Sequence, residues 1–539
     1  MRLLRDRIFL LTVIATVAIL ASLRSMELLP IVMVPVAVGL VRGLLPTLRS
    51  KFKVSTIDLP LLFLVHHMYA VSTGKPPRKR LFELECVAGG YGEYENVLKK
   101  ISTLATDWGY GFIRAIRLVV NREVRNKIFG DYLLRLSEVL RTGEDPARFL
   151  AIELSAIRRS YQSSYQRAID IMRIALGLHT TLTSSTAFII TVMAILMVFM
   201  GGALQQYVLS IIGSAFTVAF FTATLYLLLP REKLTPQLKP RPKQVFRLYD
   251  LSVAVSIVTS VAVGYMLYYV FNQLEMSLFV AASVLVVPGL VATRIEGRIK
   301  RMESFYTVFI RGFGLTFSVI PNYARTLHSV LASDFGPLTK PIATAYAKLS
   351  NGLDPKVVWR HFAYDVWSDI VARSTNVVVD AVEVGGNLRE VGIALSDTVT
   401  RILDLRNLRE RTARTFEATV YVVQALVTVI AMSIIEILRS FSSFIQGLAI
   451  GLEISTTELP FFILTPEELA FMTNVTLLYL AFLTVANAIA IKIARGGMIE
   501  TFWVPLSLML AITSATSIIV RLLVSALFGE LLIPITIPA

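Results

Sequence analysis

The chain has one cysteine, Cys86, among its 539 residues, and so it can form no internal disulfide. Cysteine-pair zinc sites are excluded on the same count. Histidine is nearly as scarce, with five at His66, His67, His179, His328 and His361, and none lies in an H-E-x-x-H helix. The adjacent His66 and His67 point to two faces of a helix, where packing at an interface is the ordinary role. No Ser/His/Asp or Cys/His spacing supports nucleophilic catalysis. Phosphate-binding loops are missing too. The nearest stretch, Ser72-Thr73-Gly74-Lys75-Pro76, has Tyr69 in place of the first glycine and Pro76 in place of the metal-binding hydroxyl. Gly109-x-Gly111 has Arg114 where a dinucleotide fingerprint needs its third glycine. Alternating strand-like patterns are rare. No stripe of aromatic residues interleaved with Arg and Lys marks a nucleic-acid groove. These gaps predict an all-α protein without catalytic, cofactor or metal residues, and without a nucleic-acid partner.

Apolar residues are what the chain has most of. They make up 55% of the sequence, and the mean hydropathy is +0.65. Nine runs are long enough to cross a hydrocarbon core, which needs roughly 20 apolar residues as helix. They lie near 8–23, 28–46, 182–204, 207–229, 251–271, 277–293, 417–438, 471–491 and 502–528. The first two and the sixth are short, which leaves room for tilted or re-entrant segments. The run 8–23 follows a basic MRLLRDR but has no small-residue cleavage site, so it reads as a retained span.

Lys and Arg placement predicts the orientation. Segment 47–178 has 21 Lys/Arg against 13 Asp/Glu, segment 294–416 has 17 against 12, and linker 231–247 has 6 against 1. All three are expected in the cytoplasm, with the N-terminus inside. Segment 440–470 has four acids and no Lys or Arg, so it belongs outside, as does the C-terminus. The expected divisions are a transmembrane hairpin at 1–46, a cytoplasmic helical domain at 47–178 and a second hairpin at 179–229. A basic proline-rich linker follows at 230–250, then a third hairpin at 251–293 and a second cytoplasmic domain at 294–416. Three transmembrane helices, with the acidic loop 440–470, fill 417–539.

Two regions of the chain are alike. Gly92 in AGGYGEY pairs with Gly336 in DFGPL, Gly109 in TDWGYGF with Gly352 in SNGLDP, and Gly143 in LRTGEDPARFL with Gly386 in VGGNLREVGIAL. The offsets are 244, 243 and 243. The same shift carries span 8–23 onto 251–271 and 28–46 onto 277–293. A period this long is a duplication of a whole unit, not a solenoid repeat. Four spans precede the second copy, so the copies insert in parallel orientation.

Helix-start chemistry punctuates both copies. Asp145-Pro146 and Asp354-Pro355 each offer an N-cap and a first-turn proline. Asn387 and Glu390 form a capping-box pattern after Gly385-Gly386. Gly143 and Gly386 are expected at positive φ, where each ends a helix and admits the next. Within the spans, Glu436 and Arg521 match in depth and form a candidate ion pair, and Gln424 and Asn487 form a candidate hydrogen bond.

The glycine-punctuated bundle ending in AVEVGGNLREVGIAL, with Gly385 and Leu395 at the ends of its last motif, resembles the type II secretion F domain. The hairpin before each bundle makes the layout similar to archaeal platform proteins of type IV pili and the archaellum. The resemblance implies a non-enzymatic, multi-pass protein of the cytoplasmic membrane that works as a homodimer. It implies docking of a hexameric secretion ATPase on the cytoplasmic face, and organisation of pilin or archaellin subunits entering a filament. Lys75, Arg78, Arg148 and Arg389, in or beside the repeated turns, are the candidate ATPase contacts. Each also fits a plain solvated helix face. A parallel-repeat transporter or permease is the alternative, and it calls for a polar midplane that the charge-free third, fourth and fifth spans lack. A membrane-anchored signalling scaffold needs neither nine spans nor a duplicated bundle.

Overall fold

A computed structural model describes residues 58–200, 204–229, 232–236, 243–271, 274–452 and 464–529. The hairpin expected at 1–46, both chain ends, much of the proline-rich linker and the centre of loop 440–470 lie outside the described residues. Among those described there are sixteen α-helices and no strand.

The first bundle contains α1 (Leu59–Ser72), α2 (Arg78–Phe82), α3 (Glu93–Thr106), α4 (Phe112–Glu123) and α5 (Lys127–Thr142). It leads into α6 (Pro146–Met200), and α7 (Leu204–Leu228) and α8 (Lys243–Phe271) follow. The second bundle takes the far end of α9 (Leu274–Val319), then α10 (Tyr323–Val330), α11 (Thr339–Ser350), α12 (Pro355–Val366) and α13 (Asp369–Glu383). It leads into α14 (Leu388–Leu452), and α15 (Pro466–Arg495) and α16 (Trp503–Gly529) complete the chain.

Seven helices are long and apolar enough to cross a membrane, and they coincide with the last seven spans read from the sequence. Three of them do not stop at the membrane. Helices α6, α9 and α14, of 55, 46 and 65 residues, each run without a break from an apolar span into a bundle. The boundaries expected at 178, 293 and 416 therefore fall inside single helices. The sixth span is not re-entrant, because α9 continues through it in spite of Pro288. Gly289 lets the helix lie close there: a Cβ would sit 2.8 Å from the Val504 backbone nitrogen.

Local chemistry sets the helix starts. The Asp145 carboxylate accepts from the Ala147 amide at 3.0 Å, and the Asp354 carboxylate accepts from the Lys356 amide at 2.9 Å. Thr465 and Glu468 form a full capping box on α15. A single hydrophobic core extends through both bundles, from Leu61, Phe63 and Tyr132 to Phe309, Trp359 and Val391. A second core is formed by the spans, around Tyr207, Met472 and Leu483.

Candidate docking turns and the contact between bundles

The turn after α1 touches the glycine turns at 143–146 and 384–387. Its Lys75 has a positive φ of 51°. On one side, Lys75, Arg78, Gly143, Glu144, Asp145 and Pro146 line a cleft of about 450 Å³. On the other side, a Cβ on Gly74 would lie 2.3 Å from the Val384 carbonyl oxygen. Thr73 Oγ1 accepts from the Asn387 amide at 3.0 Å. The fold thus gathers the segments that carry Lys75, Arg78, Arg148 and Arg389 around one end of the bundles, and all four side chains are exposed.

Gly143 has φ +79° and caps α5, as expected. At the second turn the expectation needs correction: the positive φ of 68° belongs to Gly385, not to Gly386. Gly386 is required for a different reason. A Cβ there would lie 2.8 Å from Thr73 Oγ1, 2.9 Å from the Ala381 oxygen and 3.1 Å from the Ala70 oxygen. Contact with Thr73 and Ala70 of the other bundle and with Ala381 of its own, not backbone conformation, excludes a side chain. The capping box is altered by the same contact. Asn387 accepts from the Glu390 amide at 3.4 Å and donates to its carboxylate at 2.9 Å, while Thr73 takes the Asn387 amide that Glu390 would have reached. Gly92, Gly109, Gly336 and Gly352 all have positive φ.

Sequence reading missed the polar contact that joins the bundles. His67 is fully buried on α1. Its Nε2 lies 2.7 Å from Asp380 on α13, and its Nδ1 lies 3.0 Å from the Tyr91 hydroxyl. With Nε2 donating to the carboxylate, Nδ1 accepts from Tyr91. Asp380 also accepts from the Arg80 guanidinium and from the Glu85 amide, the latter at 3.0 Å. One turn earlier, Asn376 accepts from the Ala88 amide and donates to the Gly89 carbonyl, both at 2.7 Å. Lys356 bridges Glu383 at 2.7 Å and Glu85 at 2.5 Å, and these partners hold its pKa above the usual lysine value. Asn376 and Asp380 stand four apart around the valine run of VARSTNVVVDAVE. That spacing was the available signal, but nothing local names their partners, which belong to the other bundle. The neighbouring His66 is also buried, with an unpaired Nε2. Burial, with Arg158 adding to it, lowers its pKa to about 3.

A further cluster pins the linker. Arg406 on α14 reaches Glu232 at 3.0 Å and the buried Glu303 at 3.3 Å, and the Asp369 amide donates to the Leu234 carbonyl at 2.9 Å.

In the spans, Asn487 donates to Gln424 at 2.9 Å, as their matched depth predicts. The pair belongs to a buried network with Thr484, Thr513 and His179. Glu436 and Arg521 do not meet. Glu436 binds Arg439 one turn along its own helix at 2.9 Å, and Arg521 faces Glu275 at 3.8 Å. Equal depth sets height along a helix and says nothing about which side a residue faces. Among the described residues, no group of three or more His, Cys, Asp or Glu is placed to hold a metal ion.

All-helical architecture with long apolar spans defines a multi-pass membrane protein. The chain is a distant homologue of proteins named flagella accessory protein J. It is 25% identical over 346 residues to the one from Methanocaldococcus jannaschii, covering 61% of this chain and 60% of that protein. It is 22% identical over 454 residues to the one from Methanococcus voltae, covering 81% and 79%. The first alignment thus spans less than two thirds of that relative's length. No family model and no solved structure matches.

Proposed function

We propose that this chain is the membrane platform of an archaellum-like or type IV pilus-like assembly machine. The observation that carries the reading is the distant homology to two archaeal flagella accessory proteins. In this reading the protein is no enzyme. It sits in the cytoplasmic membrane with the N-terminus inside and the C-terminus outside, docks a hexameric secretion ATPase through its basic turns, and guides pilin or archaellin subunits into a filament.

The fold lends physical support. Helices α6, α9 and α14 are continuous from bundle to span, so a displacement imposed on the bundles has a direct helical route into the spans. The reading includes two copies of one unit, at 47–178 and 294–416. Its support is the spacing of helix starts. Helices α4, α5 and α6 begin at Phe112, Lys127 and Pro146, and α12, α13 and α14 begin at Pro355, Asp369 and Leu388, a nearly constant shift.

Deletion of the gene should abolish one type of surface filament, and the wild-type chain should restore it. Normal filaments of every type in the deletion strain would contradict the proposal. Orientation is tested in a Cys86→Ser background with an impermeant maleimide. A cysteine at 455 should be labelled from outside and one at 242 should not.

A further inference from the structure

The contact between the bundles is head to tail: α1 of the first is covered by α13 of the second. Among the described residues, the corresponding surfaces at the two outer ends have no such cover. On α1, Leu64, His67 and Val71 follow one face and are fully buried. In the register that pairs Gly92 with Gly336, their counterparts are Val308, Arg311 and Leu315 on α9. Val308 is 63% exposed, Leu315 38%, and the Arg311 side chain 50%. This stripe does not face lipid, because Arg294, Glu296, Arg298, Lys300, Arg301 and Glu303 separate it from the apolar span.

The helix that corresponds to α13 is α5, and no described residue covers its outer side, where Asp131 and Arg135 are exposed. The positive-φ glycines that end them, Gly143 and Gly385, set the register. In that register Glu138 stands where Asp380 stands, and the Glu138 side chain is 44% exposed. Inside one molecule Asp380 meets His67. The outer pair would bring Glu138 to Arg311, again acid against base. At present each is held within its own bundle, Arg311 by Asp397 at 2.6 Å and Glu138 by Arg117 and Arg141 at 2.6 and 2.7 Å. Such exposed pairs are weak and exchange partners easily.

We propose that the Val308–Arg311–Leu315 face of α9 docks helix α5 of a second copy of this chain, repeating between molecules the α1–α13 contact made within one. The inference rests on the two-copy reading. Each chain then offers one donor face and one acceptor face, a heterologous contact that must close into a ring or propagate. The smallest assembly that leaves neither face bare is a pair of chains with four bundles in a ring.

The test uses full-length Cys86→Ser protein in native membranes. One tagged chain carries Val308→Cys and a differently tagged chain carries Asp131→Cys, one turn from Leu134 on the outer side of α5. A short bismaleimide should join the two tags. Arg311→Glu in the first chain should reduce that product by roughly ten-fold, the loss of a charge pair at an interface. Adding Glu138→Arg to the second chain should restore it. A product formed only between two Val308→Cys chains, or no product from a chain that runs as a multimer, overturns the proposal. The pair Glu85→Cys and Lys356→Cys in one chain is the control. If that intramolecular link fails, the two-copy contact itself falls. If it forms while 131 and 308 do not join, docking alone is wrong.

Discussion

Helix α1 and residues 303–316 of α9 occupy corresponding points in the helix order of the two bundles, and their surroundings differ. Almost every residue of α1 is buried, and its sequence LPLLFLVHHMYAVS is apolar on all sides. A helix apolar all round belongs inside a larger body. The stretch of α9 keeps a solvent face with Ser304, Val308 and Arg311. The pair α5 and α13 differs in the same sense. On α5, Glu138 forms an exposed bridge with Arg117. On α13, Asn376 and Asp380 are fully buried against the first bundle. In the two-copy reading, position in the assembly, not position in the unit, decides which polar groups each bundle can carry. Packing inside the second bundle is also tighter. Gly314 and Gly392 let α9 and α14 cross with a Cβ on Gly314 only 2.4 Å from the Leu388 oxygen, and in the two-copy registers used above the residues at these points of the first bundle are Ala70 and Leu150.

The largest expected effect follows from breaking the buried polar contact on one side of that comparison. Asp380→Ala leaves Arg80 and His67 without their carboxylate, and removal of one partner from a buried pair costs about 3 kcal/mol. Thermal unfolding in detergent should shift down strongly, while Glu138→Ala, its exposed counterpart, should leave the midpoint in place. Equal shifts would mean that the two helices are not differently placed.

Overfilling comes next. Gly314→Ala and Gly386→Ala each push a methyl against backbone oxygens, and overpacking of that kind costs about 1–3 kcal/mol. Gly143→Ala has open space and meets only the left-handed backbone penalty, about 1 kcal/mol. The order of melting midpoints should be Gly143→Ala above Gly386→Ala. The reverse order would move the constraint from contact back to conformation.

His66 sharpens the comparison by pH. Its folded pKa is about 3, below an unfolded value near 6.5. The unfolded chain therefore takes up the proton first. The stability held above pH 6.5 is lost as pH falls toward 3, by at most about 1.4 kcal/mol per unit. In the two-copy reading its counterpart on α9 is Ile310, also buried. His66→Ile should flatten the stability profile between pH 6.5 and 4. An unchanged slope would show that His66 is not the group responsible.

Much of this was legible in the sequence, for identifiable reasons. Hydrophobic length located the seven described spans, and Asp145 and Asp354 announced their helices because a cap is a local event. Gln424 and Asn487 met because both sit on inward faces. Depth alone placed Glu436 opposite Arg521 and failed, since the side a helix turns inward depends on neighbours far along the chain. Gly386 carries the local pattern of a conformational glycine, yet close contacts crowd it, from Thr73 and Ala70 of the other bundle and Ala381 of its own. The His67–Asp380 contact was missed for the same reason: local pattern marks a residue as buried and polar, and only the fold supplies its partner.

The central claim is that the basic turns around Lys75 and Arg78 serve a partner ATPase, not a nucleotide of their own. The direct measurement is ATP turnover by the purified full-length protein in lipid nanodiscs, with and without a secretion ATPase from the same cell, across a salt series. The protein alone should stay at background. It should change the turnover of the ATPase, and Lys75→Glu with Arg78→Glu should remove that change. The effect should fade as salt shortens the screening length from about 10 Å at 0.1 M to about 3 Å at 1 M. Sustained hydrolysis by the protein itself, or an ATPase it neither binds nor alters, would contradict the account.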